Sequence, residues 1–245
     1  VSPPDRLAAV RVVLVRPRQP GNVGLAARAV ANHGAGRLCL VAPRGFDPDQ
    51  ARWMAPHAQA VIDQALFTAT IAEAVADCAL VVGTSARARR ADAPLWDPAR
   101  LAREAATTAG PVAVVFGPED AGLSNDDLAA CDAAVRLPTA AHSSLNLGMA
   151  VGVTLAWMRG LPISDSADRA PPRPAAGLRD GLTQDLLACL DATDYLRAHP
   201  RAEVAGTLQR LFAGPGVDAA GLAALRGMAK ALRVALGRPP GPRQP

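Results

Sequence analysis

The sequence predicts an α/β fold built on a parallel sheet, followed by a small all-α domain. Three observations carry this. Short continuous apolar runs at residues 11–16, 37–41, 79–82, 112–116 and 134–137 read as buried strands. Helical patterns lie between most of them, as the crossovers of parallel strands require. Across residues 160–178 the composition shifts to proline, serine, arginine and aspartate, and beyond it only helical periodicity remains.

A chain of 245 residues has room for one or two domains and a large core. Half of it is apolar, yet no apolar run reaches the roughly 18 residues of a membrane helix. The first residues, VSPPDRLAAV, lack a secretory apolar segment, so a cytoplasmic protein is expected. Cys39, Cys78, Cys131 and Cys189 are far apart with no C-x-x-C, which predicts reduced, buried thiols. The four histidines lack metal-ligand spacing, so no metal is expected. The net charge of +4 only slightly favours a polyanionic partner. Lys230 is the only lysine; the other cations are arginines, which a GC-rich coding sequence would also produce. Arginine binds phosphate in bidentate fashion whatever the origin of its abundance.

Residues 11–16 (RVVLVR) are strand one. After a loop at 17–21, Asn22 is placed to cap a helix with Val23, Ala26, Ala27 and Val30 on its apolar face, ending near Gly34. Residues 37–41 complete a βαβ unit with a glycine turn at a helix N-terminus, where anions bind readily. Gly21-x-x-Gly24 is part of a dinucleotide fingerprint, but the carboxylate expected about 20 residues on is missing. Val41-Ala42-Pro43-Arg44 stands there instead, and Arg44 suits a 2′-phosphate. Residues 49–60 read as a short helix, 61–67 as an apolar piece of either type, and 70–77 as a helix capped by Thr70. The strand at 79–82 runs into Gly83-Thr84-Ser85-Ala86-Arg87-Ala88-Arg89-Arg90. Three arginines there are either a solvated run or a phosphate contact; a loop directly after a strand favours contact. A helix at 98–109 follows.

Residues 111–157 organise the chain. The strand at 112–116 breaks into Gly-Pro-Glu-Asp-Ala-Gly, and Asn125 and Asp126 are placed to cap a helix through Cys131. A second strand, 134–137, stops at Pro138. The polar loop after it leads to Ser143-Ser144-Leu145-Asn146, which opens a helix running to Arg159. In open α/β sheets, ligands bind outside the carboxyl ends of the strands.

Asn22-Val23-Gly24 with Arg28 six residues after the asparagine, then Gly117-Pro118-Glu119-Asp120-Ala121-Gly122-Leu123, then Ser144-Leu145-Asn146-Leu147 occur in that order. They resemble motifs 1, 2 and 3 of the SpoU/TrmH class of SPOUT RNA methyltransferases. Gly83 to Arg87 is similar to a segment of the TrmJ branch of that class. So are Ala192-Thr193 to His199-Pro200, residues 208–212 and residues 225–228, which resemble that branch's C-terminal extension.

The resemblance implies a SPOUT domain over residues 1–161 with a deep trefoil knot at its C-terminal end. A linker (162–179), a helical extension (180–236) and a disordered tail (237–245) would follow. It implies an obligate homodimer, S-adenosyl-L-methionine as methyl donor, and 2′-O-methylation of tRNA at pyrimidine 32 of the anticodon loop, with rRNA the less favoured substrate. From Gly181 onward eight lysines and arginines face five acids, a basic extension that suits tRNA.

Carried onto this chain, the motifs assign donor binding to Thr84, Ser85, Ala86, Gly117, Leu137, Ser143, Ser144 and Leu145. Catalysis falls to Arg28, Asn22, Glu119, Ser144 and Asn146, and RNA contact to Arg28, Arg87, Arg89 and Arg90. The resemblance places a catalytic arginine at Arg28, as base or as phosphate clamp beside the target ribose; a guanidinium has no acceptor, which favours the clamp, and a plain surface helix arginine is the alternative. Glu119 can act in the chemistry or only bond backbone N–H groups of its own turn, and Ser144 and Asn146 can also be helix caps. Two departures stand out. Asp120 sits where the branch often carries arginine, and the loop at 138–142 is about one residue short.

Overall fold

The structure, a computed structural model, describes residues 7–85, 94–140, 145–160, 173–191, 195–213 and 219–236. Its strands are β1 (Val10–Val15), β2 (Arg37–Val41), β3 (Leu66–Thr68), β4 (Leu80–Thr84), β5 (Leu95–Trp96), β6 (Val112–Phe116) and β7 (Ala133–Val135). The first seven helices are α1 (Pro20–His33), α2 (Pro48–Trp53), α3 (Gln59–Asp63), α4 (Ile71–Val75), α5 (Pro98–Thr107), α6 (Asn125–Ala129) and α7 (Leu147–Gly160). Four more follow: α8 (Ala176–Asp191), α9 (Tyr195–Ala198), α10 (Arg201–Ala213) and α11 (Ala219–Leu236).

The strands form one sheet in the order β3-β2-β1-β6-β4-β7-β5, and every neighbouring pair is parallel. Helices cover both faces, which is why the strands read as continuous apolar runs rather than alternating ones. Val12 and Leu14 point into one core with residues of α1, α5 and α7. Val13 and Val15 point into the other with α4, Leu128 of α6 and Ala176 of α8. The chain first extends the sheet from β1 to β3 on one side, then crosses over, and β6 later inserts between β1 and β4. That reversal places the ends of β1 and β6 side by side at the switch point, where α/β sheets bind ligands.

Several expected boundaries move. Pro20 starts α1, so Asn22 lies inside the helix and does not cap it; the N-cap residue is Gln19, without a side-chain bond. Ser124, not Asn125 or Asp126, caps α6, closing a capping box with Asp127. The helix expected at 49–60 is two short helices, α2 and α3. β5 went unread because two residues between Pro94 and Asp97 carry no period.

The C-terminal helices have a small core of their own around Leu182, Cys189, Phe212, Leu222 and Ala229. The first of them starts earlier than position 180 and docks on the sheet domain. Ala176 N–H donates to the Cys78 carbonyl at 2.7 Å and Gly177 N–H to Ala76 at 2.8 Å. Arg179 then forms a bidentate ion pair with Asp132 just before β7, with the side chains 7% and 13% exposed. Asp132 Oδ2 also accepts the Val81 N–H of β4 at 2.9 Å, so one carboxylate ties α8 to two strands. The four cysteines are free thiols and buried.

Candidate active site

Because all the strands run one way, the loops after β1, β4, β6 and β7 emerge on the same rim. Thr84 ends β4 with its hydroxyl donating to the Val115 carbonyl at 3.1 Å, and Ser85 N–H donates to the Val135 carbonyl at 3.0 Å. After β6 the loop doubles back: Gly122 N–H bonds the Pro118 carbonyl at 2.9 Å. A Cβ on Gly117 would lie 2.2 Å from backbone atoms of Gly122 and Leu123, so only glycine fits there. Gly122 itself has φ of 67°, the left-handed region.

These pieces enclose a cavity of about 230 Å³ lined by Thr84, Ser85, the backbone from Phe116 to Leu123, Val135, Leu137, Thr139, Leu145, Leu147 and Ala150. Leu137 and Leu145 are half-buried, apolar surface open to a planar ring. Loop backbone and the hydroxyls of Thr84, Ser85 and Thr139 supply the polar rim, and Glu119 and Asp120 add carboxylates. Leucine walls, close-approach glycine and a carboxylate fit a nucleoside carrying a positive charge.

Beside the cavity, three side chains join end to end. Asn146 Nδ2 donates to Asn22 Oδ1 at 2.8 Å, and Asn22 Nδ2 donates to Glu119 Oε1 at 2.9 Å. Glu119 also accepts the backbone N–H of Arg18 (3.1 Å) and of Gln19 (3.3 Å). Asn146 Oδ1 accepts Gly148 N–H at 2.9 Å, making Asn146 the cap of α7. The backbone donors fix the amide orientation: Asn146 must turn its NH₂ toward Asn22. Burial pushes the Glu119 carboxyl up, but the bonds from Asn22 and from backbone N–H groups outweigh it and hold it below the ordinary glutamate range. Glu119 is therefore an anion that orients Asn22, while Asn22 is 6% exposed and holds Asn146.

The same contacts bear on the dinucleotide reading of Gly21-x-x-Gly24. A pyrophosphate would need the free N–H groups at the start of α1. Glu119 already occupies the Arg18 and Gln19 donors of the turn leading into α1, and the Asn22 and Val23 N–H groups of its first turn bond the Gln19 carbonyl.

The SpoU rRNA Methylase profile matches residues 9–156. The chain belongs to the SpoU rRNA methylase family. It is 37% identical to the tRNA (cytidine/uridine-2′-O-)-methyltransferase TrmJ of Salmonella typhimurium over 89% of this chain and 94% of that one. The crystal structure of TrmJ from Z. mobilis ZM4 matches with a TM-score of 0.80 at 34% identity, covering 91% of this chain and 98% of that chain. An AdoMet-bound rRNA methyltransferase from Sinorhizobium meliloti matches with a TM-score of 0.50 at 27% identity, over 63% of this chain and 57% of that one. Within the SpoU family the chain falls in the TrmJ branch.

In this SpoU methylase, Thr84, Ser85, Gly117, Leu137 and Leu145 line one cavity, and Asn22, Glu119 and Asn146 form the chain next to it. Ala86, Arg87, Arg89, Arg90, Ser143 and Ser144 lie outside the described residues. Arg28 is exposed on α1 and makes no hydrogen bond or ion pair among the described residues. Glu119 does not spend itself on its own turn: three partners come from the loop after β1 and from α1. Asp120, the departure from the branch pattern, pairs with Arg18 at 2.8 Å. Sequence reasoning missed Arg16. Its guanidinium forms a bidentate pair with Asp127 of α6, which ties the end of β1 to the helix after the Glu119 loop. Its signal was an arginine directly ending an apolar strand, with an acid in the first turn of a later helix.

Proposed function

We propose that the chain transfers a methyl group to a ribose 2′-hydroxyl of tRNA, at pyrimidine 32 of the anticodon loop, using S-adenosyl-L-methionine. The observation that carries the reading is the Asn146–Asn22–Glu119 chain standing beside a leucine-walled, glycine-floored cavity at the carboxyl ends of β4, β6 and β7. Similarity to TrmJ enzymes over most of the chain supports the substrate class.

Thr84, Ser85, Gly117, Leu137 and Leu145 would hold the donor, together with Ala86, Ser143 and Ser144. The donor supplies a methyl group on a positively charged sulfur. The chain's own task is to align the hydroxyl within near-attack range and let its proton leave. Asn146 has both Oδ1 lone pairs and one N–H engaged, which leaves one N–H for a ribose oxygen. Asn22 and Glu119 keep that N–H aimed. Arg28, exposed and without a hydrogen bond or ion pair among the described residues, binds a phosphate next to the target ribose; its guanidinium offers only donors and so does not take the proton. The phosphate or solvent does.

The family also carries the expectation of a trefoil knot at the C-terminal end of the catalytic domain and of a homodimer. Met149 and Trp157, eight residues apart on α7, are 58% and 40% exposed, an apolar strip that a second copy would cover. Light scattering should give twice the chain mass.

The test is transfer of labelled methyl from S-adenosylmethionine to tRNA and rRNA transcripts, followed by ribose-methylation mapping. Label at position 32 of tRNA supports the whole reading. Label on rRNA alone would move the substrate, and label on neither would sink the assignment.

A further inference from the structure

β1 and β2 leave the sheet together, each through a non-glycine residue in the left-handed region: Arg16 at φ 49° and Ala42 at φ 44°. Such residues cost energy and persist where the surroundings hold them. Here Arg16 N–H donates to the Val41 carbonyl at 2.7 Å and Ala42 N–H to Thr68 at 2.9 Å. Arg44 N–H reaches the Pro17 carbonyl at 3.1 Å, pinning the two loops to each other. The turns bring Arg16, Arg18 and Arg44 around a hollow of about 230 Å³, completed by Pro118, Ala121, Gly122 and Ser124.

The three cations are not equivalent. Arg16 is neutralised by Asp127, a buried carboxylate. Arg18 pairs with Asp120 where both side chains are 50% exposed, an ion pair weak enough for a stronger anion to displace. Arg44 is exposed, and its side chain makes no hydrogen bond or ion pair among the described residues. Among the described residues three guanidinium groups thus face two carboxylates, and the charge of Arg44 has no partner there. Glu119 lines the neighbouring cavity and not this one. Pro118, Ala121 and Gly122 line both, so an anion here would sit one loop away from the donor cavity.

We propose that Arg44 and Arg18, backed by Arg16, form a subsite for a backbone phosphate of the RNA, separate from the clamp assigned to Arg28. This rests on the reading of the chain as an RNA methyltransferase. The ligand chemistry is a phosphate oxyanion gripped by guanidinium forks. A phosphodiester of RNA and free inorganic phosphate share it, and the first is favoured because the hollow adjoins the proposed ribose site.

Arg44→Ala, Arg44→Lys and wild type should be compared for tRNA binding across a salt series, with S-adenosylhomocysteine binding and Tm as controls. Arg44→Ala should weaken tRNA binding about tenfold and lower the salt slope by about one, with donor affinity and Tm unchanged. Arg44→Lys should keep the slope and lose only part of the affinity. If wild type binds tRNA and Arg44→Ala matches it in affinity and slope, the subsite is wrong while the enzymatic reading stands. Calorimetry with inorganic phosphate separates the sources: phosphate binding lost in Arg44→Ala with tRNA binding intact would make this a free-anion site and overturn the RNA assignment. A wild type that neither binds nor methylates any RNA defeats the enzymatic reading, and the subsite with it.

Discussion

Asn146, the cap of α7, and Asn22, inside the first turn of α1, meet in a 2.8 Å hydrogen bond across 124 residues of chain. Neither side chain is free to serve only its own helix. Asn22 is held from the other side by Glu119, so the start of α1, the β6 loop and the start of α7 are locked as one unit.

Asn22→Ala removes the middle of that unit. It leaves Glu119 and Asn146 each short of a partner, a penalty of about 1–3 kcal/mol. We expect a fall in methyl-transfer rate of roughly 10–100-fold with donor affinity within a few-fold. Single-turnover kinetics and calorimetry with S-adenosylhomocysteine separate the two. A drop in donor affinity as large as the drop in rate would make Asn22 a donor-site residue instead.

Arg28→Ala should abolish transfer to tRNA and leave donor binding within a few-fold, because the side chain has no partner to lose among the described residues. Arg28→Lys, keeping a charge without the planar fork, should retain a small part of the activity. Undiminished turnover in Arg28→Ala removes the residue from the mechanism.

Arg179→Ala leaves Asp132, whose side chain is only 13% exposed, without its guanidinium partner at the junction of α8, β4 and β7. The expected cost is about 3–5 kcal/mol of stability, read from urea unfolding. A loss under about 1 kcal/mol would mean that the junction is held by packing alone.

Asp127 titrates in the direction of acid loss. Burial pushes its carboxyl up, but hydrogen bonds from Arg16 and Ser124 prevail and hold it below the ordinary aspartate range. A depressed folded pKa means the stabilisation is complete above the unfolded value, near about 4, and drains as pH falls through the folded one. Wild type should therefore lose Tm steeply below about pH 4, and Asp127→Asn, already weaker at neutral pH, less steeply. Parallel curves for the two proteins would contradict this.

The thiols should be silent in the native state. Burial pushes Cys78 up to about 11 and also raises Cys39 and Cys131. Iodoacetamide at about pH 8 should label none of the four buried cysteines until denaturant is added, as mass spectrometry can count. Labelling of Cys131 in native protein would reveal local opening around α6.

Much of the fold was legible in advance because its signals are local. The runs at 37–41 and 112–116 are β2 and β6 to the residue, since strands buried on both faces must be apolar throughout. Thr70 caps α4 as read, its hydroxyl oxygen accepting Glu73 N–H within one turn. The failures are equally instructive. Asn22 looks like a cap by residue type, but Pro20 two positions earlier starts the helix and frees the amide for a longer reach. Ser124 outcompetes Asn125 because Asp127, three residues on, completes a reciprocal pair.

By itself, then, the chain's order of residues determined which segments would be strands and helices, and that polar motifs would sit at strand exits. It did so because periodicity and capping act over a few residues. Tertiary structure decided that β6 slips between β1 and β4, that Glu119 fills the donors of the β1 loop, and that Arg16, Arg18 and Arg44 surround one hollow. Some of those pairings join groups just over a hundred residues apart, such as Arg18 and Glu119 at 101. Only closure of the whole sheet brings them within hydrogen-bonding range, and no local pattern records that.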